Sequence, residues 1–395
     1  MSSSAVDKFF PSPITLLTED ERMIKESVRK WAIKDLKPRL QEMETNECIY
    51  PSVIQKLFEN GYMSMEINEK YGGIGTNFTS ACIAIQEISR IDPSVALMVD
   101  VHNTLVVNMI RFWGSDYLKD KYLPKLAKDS VSSFCLSEAN AGSDAFSMKT
   151  QAYRSSDNLF TINGTKSWIT NAKEAEVLIV FCNVNPSEGY KGITAFVVDT
   201  DTEGVNIGVR EKKLGLKASS TCQIVFDNVI VDASQMLGEL GKGYEYCIKI
   251  LNEGRIGIAS QQIGIAKGCF DVVMPYLNER EQFGMKLADM PSLQQQYAQA
   301  ATELYAAEVM MLNACRLKEN GLPFVKEAAM SKLFASQVSE KICSQSIEWM
   351  GAVGYSTDYK VEKFFRDCKV GSIYEGSSNI QRQTIAKIMK SEYSH

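Results

Sequence analysis

The sequence predicts an α+β fold in three successive parts: a helical N-terminal domain over residues 1–130, a β domain over 131–240 and a C-terminal helical bundle over 241–395. Three observations carry this reading. Apolar residues recur at helical spacing in the first and last parts, short runs rich in Val, Ile, Thr and Phe fill the middle, and the last helical pattern is interrupted at points that divide about four helices.

In the first part, "ERMIKESVRKWAIKDLKPRLQEM" and "PSVALMVDVHNTLVVNMIRFW" carry helical periodicity and are separated by the turn-rich "EKYGGIGTNF". Leu97 and Val101 stand four apart and so share a helix face. From residue 131 the runs "LFTINGTKSWIT", "EVLIVFCNV", "GITAFVVDT" and "CQIVFDNVIV" read as strands. Asn163-Gly164 inside the first of them predicts a hairpin turn. The long pattern opening with "GKGYEYCIKILNEGRIGIA" is helical, with breaks at Gly321-Leu322-Pro323 and from Gly351 to Tyr355.

Composition excludes several classes of function. A 395-residue chain with 45% apolar residues can bury ordinary cores, and a net charge of −5 without a Lys/Arg block argues against nucleic acid or an anionic membrane as partner. The ten cysteines form no CxxC pair and read as reduced, buried thiols. With His102 and His395 as the two histidines, a His-based metal site or triad would rest on His102 alone. No run of about 18 apolar residues suggests a membrane span. "MSSSAVDKFFPSP" has neither the apolar core of a secretory signal nor the Arg-rich face of a transit peptide. Neither GxGxxG after a strand nor GxxxxGK[ST] occurs, so any dinucleotide is held outside a Rossmann domain.

Two stretches carry chemistry. "FCLSEANAGSDAFSMKT", residues 134–150, is a loop of small residues that can bring backbone N–H groups and hydroxyls to a flat polar ligand, or be a plain loop. Downstream, Trp168 and Thr170 in "KSWIT" sit on one side of a strand, where an indole can cover an aromatic ring and a hydroxyl can donate to it. In "IYEGSSNIQRQTIAKIM", residues 373–389, Glu375 stands before the helix-capping types Ser377, Ser378 and Asn379. On local pattern alone it is either a carboxylate ornamenting a helix end or the base of an enzyme.

"CLSEANAGSD", "WIT", "KLGLKASST", "LNEGRIGIA", "NEREQFG", "EWMGAVGY" and "IYEGSSNIQ" occur in the order and spacing of the acyl-CoA dehydrogenases. The chain resembles that family over nearly its whole length, and its short/branched-chain members most. The resemblance implies FAD as cofactor. Phe134, Cys135, Leu136, Ser137 and Ser143, with Trp168, Ile169 and Thr170, would wrap the isoalloxazine. Arg280 and the segment Glu348, Trp349, Met350, Gly351 and Ala352 would reach the FAD of a neighbouring subunit, which implies a homotetramer. Ser377, Ser378 and Asn379 would close on the same cofactor.

Ser143, Tyr190, Tyr244, Asn252, Glu253, Gly254, Arg255 and Gly376 would line the path of the acyl-CoA thioester. Glu375 would take the α-proton from a thioester whose carbonyl is polarised by backbone N–H and a ribityl hydroxyl, while the β-hydrogen leaves as hydride to flavin N5. Electrons would pass to electron-transferring flavoprotein, and the location implied is the mitochondrial matrix. Relatives that place the base elsewhere carry it just before the arginine matching Arg255. Here that position is Gly254, and Glu253 lies about 100° round the helix.

Two positions depart from the family. Asn140 replaces a glycine, a change that asparagine's tolerance of positive φ would accommodate. Pro291 replaces a glutamine that touches FAD, with Gln294 to Gln296 the nearest substitutes. The expected activity is α,β-dehydrogenation of short and short branched acyl-CoA thioesters of the 2-methylbutanoyl type. The same site run in reverse would reduce a 2-methyl enoyl-CoA, and a chain with a broken site would be an inactive CoA-binding helical scaffold.

Overall fold

A computed structural model describes residues 13–394, so the N-terminal stretch before Pro13 and His395 lie outside the described residues. The helices of the first part are α1 (Glu19–Trp31), α2 (Leu40–Asn46), α3 (Pro51–Glu59), α4 (Phe78–Ser89), α5 (Pro93–Asp100), α6 (Asn108–Trp113) and α7 (Asp116–Lys128). Thr18 and Glu21 form a capping box at α1, Glu21 N–H donating to the Thr18 hydroxyl and Thr18 N–H to the Glu21 carboxylate. Between α5 and α6 the backbone winds as a π-helix, Val101–Val107. By length and composition Pro93–Trp113 is long and apolar enough to cross a membrane, contrary to the sequence expectation. It is instead a core helix: 89% of its apolar window is buried inside the protein.

The middle part is one eight-stranded sheet. Its strands are β1 (Val131–Cys135), β2 (Gln151–Arg154), β3 (Leu159–Thr170), β4 (Ala175–Asn183), β5 (Ile193–Asp199), β6 (Val205–Arg210), β7 (Thr221–Asp232) and β8 (Met236–Leu237). They run in the order β6-β7-β3-β2-β4-β5-β8, with β1 pairing parallel to β4. The predicted hairpin at Asn163-Gly164 does not form. β3 continues through both residues, and its pairing with β7 is bulged between Ile162 and Gly164. The glycine is needed for close approach, since a Cβ there would stand 2.4 Å from the Thr150 hydroxyl.

In the last part, α8 (Gly243–Glu279) is followed by a small hairpin of β9 (Glu281–Gln282) and β10 (Met285–Lys286). Next come α9 (Pro291–Glu319), α10 (Val325–Met350), α11 (Ala352–Tyr355), α12 (Val361–Cys368) and α13 (Ser378–Glu392). The four long helices α8, α9, α10 and α13 account for the predicted bundle. Pro291 takes the first turn of α9, where its missing N–H costs no helical bond. All ten cysteines are free thiols.

α8 is the axis of the molecule. It packs on α10, α4, α9, α12 and α5, and Gly254, Gly257, Gly264 and Gly268 lie along one stripe of it. At Gly264 an added Cβ would stand 2.3 Å from the Gln86 carbonyl oxygen and 2.6 Å from Ser89 Cβ, so α4 lies against bare backbone. Gly264→Ala therefore overpacks a rigid contact, and a loss of about 1–3 kcal/mol is expected. In thermal unfolding of the purified protein the midpoint should fall by about 2 °C or more; an unchanged midpoint would show that the two helices separate freely.

Candidate active site

Glu375 lies in the short crossing between the 3₁₀ turn Lys369–Ser372 and α13. It is not the helix cap. Ser377 is, its hydroxyl accepting from Ile380 N–H at 3.4 Å. Glu375 has φ +48° and Gly376 has φ +82°, so two successive residues are left-handed. For a glutamate this costs on the order of 1 kcal/mol or more and persists only when the surroundings enforce it. Three donors do so. Gln381 Nε2 reaches the carbonyls of Glu375 (3.0 Å) and Gly376 (2.8 Å), and Lys332 Nζ, from α10, donates to the Gly376 carbonyl at 2.8 Å.

The carboxyl so presented is buried at Oε2, which has no hydrogen-bond partner among the described residues. It faces α8 at Gly254, where an added Cβ would stand 2.9 Å from Glu375 Oε2 and 2.9 Å from Leu105 Cδ2. Burial, the largest influence, pushes the Glu375 carboxyl up to about 7, against the pull of the Lys332 and Arg255 charges. Burial likewise pulls Lys332 down to about 7, with Glu375 opposing the change and Arg255 adding to it. Asp100, at the end of α5, is held well above the carboxylate range by burial and by the Glu375 charge.

Of the α8 residues expected along the thioester path, Arg255 donates to the Asn252 side-chain oxygen at 2.8 Å, and its Nε is buried without a partner among the described residues. Glu253 is engaged elsewhere. Its carboxylate accepts from Asn108 Nδ2 at 2.7 Å and pairs with Lys318 at 3.1 Å, in a buried cluster shared with Glu66. Near the start of α8, the Tyr244 and Tyr190 rings meet edge to face at 4.9 Å, and Phe146 approaches Tyr244 at 6.4 Å. Ser143 is exposed on the loop that carries Phe146.

On the sheet, Trp168 has φ +62° and its indole is 61% exposed, whereas Ile169 is 2% exposed and points into the core. The inversion comes from a bulge against β7 between Lys166 and Ile169. The loop of residues 134–143 is pinned beside it. Lys166, wholly buried, donates from Nζ to the Leu136 carbonyl and to Glu138 Oε1, each at 2.9 Å. Ser167 N–H donates to the Ser137 carbonyl at 2.9 Å. Cys135 and Leu136 turn their side chains into the core, leaving only backbone for a ligand. Phe134 is half-buried against Phe181. Asn140 is not among the positive-φ residues, so its replacement of glycine needs no special conformation.

An exposed indole at a strand bulge, beside a loop offering backbone, fits a planar aromatic group such as the isoalloxazine of FAD. Other expected cofactor residues lie far away in this chain. Arg280 is 25 residues beyond Arg255 at the far end of α8, about 38 Å along the helix. Glu348, Trp349 and Met350 close α10 some 16 residues beyond Lys332, about 24 Å on. Trp349 Nε1 donates to Gln296 at 3.0 Å, so one of the glutamines near Pro291 is tied to this segment. Gly351 and Ala352 are exposed there, and Ser378 and Asn379 open α13.

Residues 18–130, 133–229 and 241–390 match the N-terminal, middle and C-terminal domains of acyl-CoA dehydrogenases. The chain belongs to this family. It is 50% identical over 382 residues to the mitochondrial short/branched chain specific acyl-CoA dehydrogenase of Rattus norvegicus, covering 97% of this chain and 88% of that one. Butyryl-CoA dehydrogenase from Megasphaera elsdenii superposes with a TM-score of 0.93 at 32% identity, over 95% of this chain and 99% of that one. A glutaryl-CoA dehydrogenase from Mycobacterium smegmatis, solved in complex with FADH2, gives 0.89 at 28% identity, covering 96% of this chain and 96% of that one.

Sequence reasoning missed Lys332, Leu105, Asp100 and Gln381. Lys332 had a signal, a lone lysine inside the apolar run "AAMSKLFA". A carboxyl whose folded pKa lies above its unfolded value is proton-bound in the fold and ionised in the unfolded chain between the two. Wild type therefore loses stability as pH rises from about 4.5 to about 7. Relative to Glu375→Gln, the wild-type unfolding temperature should fall across that window and run parallel above it; a constant difference from pH 4 to 8 would remove the burial argument.

Proposed function

We propose that the chain dehydrogenates short and short branched acyl-CoA thioesters across the α and β carbons, with Glu375 removing the α-proton. The observation that carries this is the buried, unpartnered Glu375 Oε2 facing Gly254, on a carboxyl pushed up to about 7. A base poised near the working pH combines a deprotonated resting form with driving force for proton uptake. A substrate entering past Tyr190 and Tyr244 would complete the exclusion of water around it. Arg255 and Lys332 supply positive charge against the ionised carboxylate.

Trp168, Thr170 and the loop from Phe134 to Ser143 would hold FAD, which when bound supplies the two-electron acceptor for the β-hydrogen. The separation of Arg280 and of Glu348 to Ala352 from Glu375 along α8 and α10 supports their serving the cofactor of a second copy, and with it a homotetramer. The family and the mitochondrial relative support electron-transferring flavoprotein as electron acceptor and a mitochondrial location, for which we propose the matrix. Glu375→Gln should retain the fold and the bound flavin's absorbance yet lose about 10² to 10⁴-fold in flavin reduction by substrate. Near wild-type reduction in that variant would remove Glu375 from the chemistry.

Substrate length follows from the wall opposite the base. Leu97, Val101 and Leu105 are buried in one apolar cluster, and Leu105 Cδ2 reaches the space beside Gly254. Bulky side chains there shorten the acyl cavity. Across straight and α-methyl thioesters, kcat/KM should peak at about four to six carbons with an α-methyl branch. The preference should be graded, because one methylene is worth only about 1–3 kcal/mol. A maximum at roughly eight carbons or more, or rejection of α-branched thioesters, would overturn this substrate class.

A further inference from the structure

We propose that Lys332 is a positioning residue for the catalytic base: its buried side chain clamps the strap that carries Glu375, and its ammonium places a positive charge beside that carboxyl.

The strap runs from Gly371 to Gly376, and α10 holds both of its ends. Ser336 donates to the Gly371 carbonyl at 2.8 Å, and Lys332 donates to the Gly376 carbonyl at 2.8 Å. The two side chains are four residues apart and so lie on one face of the helix. Between the clamps, Tyr374 hydrogen-bonds Gln261 of α8, and an added Cβ at Gly371 would stand 2.5 Å from the Gln262 side chain. The strap is thus pressed between α8 and α10, and the Glu375 carboxyl points toward Gly254.

Lys332 is wholly buried. A methionine of similar length would fill its site without the desolvation cost of an ammonium, so packing alone does not account for a lysine. The ionisable groups around the strap are Glu375 and Tyr374 on it, Arg255 and Cys247 on α8, Asp100 on α5 and Lys332 on α10. Arg255 and Lys332 are the two cations acting on Glu375. Removing Lys332 removes a charge that favours the ionised carboxyl, so Glu375 should hold its proton to higher pH.

The charge argument rests on Glu375 as the base; the clamp does not. In the FAD-loaded enzyme, Lys332→Met should move the acid limb of kcat/KM upward by about one pH unit or more. At pH 7 kcat should fall about tenfold or more with KM little changed, while flavin absorbance and unfolding temperature are kept. Ser336→Ala loosens the other clamp without touching charge, so it should lower kcat and leave the acid limb in place. pH-difference infrared spectra, with Glu375→Gln as the blank, read the carboxyl's titration without turnover. They separate failure of this proposal from failure of the base assignment. If Lys332→Met does not fold, Lys332→Gln removes the same charge with a polar end and should give the same shift. An unmoved titration in the folded Lys332 variant, or an equal shift in Ser336→Ala, overturns the proposal.

Discussion

The close approach of other elements to α8 is the constraint on which the rest of the structure depends. Along one stripe of that helix, Gly254 faces Glu375 and Leu105, Gly257 faces Asp100, Gly264 faces α4, and Gly268 faces the Arg90 carbonyl and Phe364. Each contact leaves no room for a Cβ, and at Gly257 one would stand 1.9 Å from Asp100 Oδ1. A helix buried on so many sides gains apolar contact along most of its length, and it also fixes the distance from the first part of the chain to the strap bearing Glu375. Fold and site therefore share one set of tolerances. A small displacement of α8 would be felt at Glu375, through a carboxyl that has no other partner to hold it.

The buried charges divide into two kinds. In the structural kind every charge is answered. Lys166 is paired with Glu138, Lys363 with Asp367 at 2.5 Å, and Arg316 with Glu21 at 2.7 Å, the last tying the first helix to α9. Burial acts to raise the Glu21 carboxyl, but hydrogen bonds from Arg316, Thr18 and Asn77 outweigh it and hold the group at about 2. The other kind, at the candidate site, is left open. Glu375 Oε2 has no donor among the described residues, and burial prevails over the charges of Lys332 and Arg255. The same desolvation that would be a defect in a core ion pair here sets a carboxyl near neutrality, where proton abstraction is efficient.

Much of this was legible in the sequence, for identifiable reasons. The three-part layout follows from the change of hydrophobic period from 3.6 to 2 and back, which local composition shows directly. Glu375, Trp168, Arg255 and the loop at 134 emerge from motifs whose order is informative. Local rules failed where tertiary contact decided. Asn163-Gly164 has turn chemistry, yet β7 pairs past it and Thr150 presses on the glycine, so the strand continues. Glu253 neighbours Gly254 in sequence but faces Lys318 and Asn108, since successive helical residues point about 100° apart. Lys332 and Gln381 act on backbone carbonyls about 44 and five or six residues away in sequence. No residue pattern announces a hydrogen bond to a main-chain oxygen.

The geometry at Gly254 brings two places in the chain to one point. An added Cβ at that position lies 2.9 Å from Glu375 Oε2, so a side chain from α8 and a side chain from the strap arrive at the same point in space. They are mutually exclusive: with Glu375 in place, anything larger than glycine at 254 would have to displace the carboxyl. Restoring a carboxylate on α8 without removing the one on the strap would also bring two like charges together in a desolvated site, holding one of them protonated. Asp100 shows the same effect at a greater remove, since the Glu375 charge adds to burial in pushing its carboxyl up. The glycine is therefore as much a part of the proposed catalytic arrangement as the glutamate. In that arrangement one position supplies the proton acceptor, and the other supplies the space in which it stands.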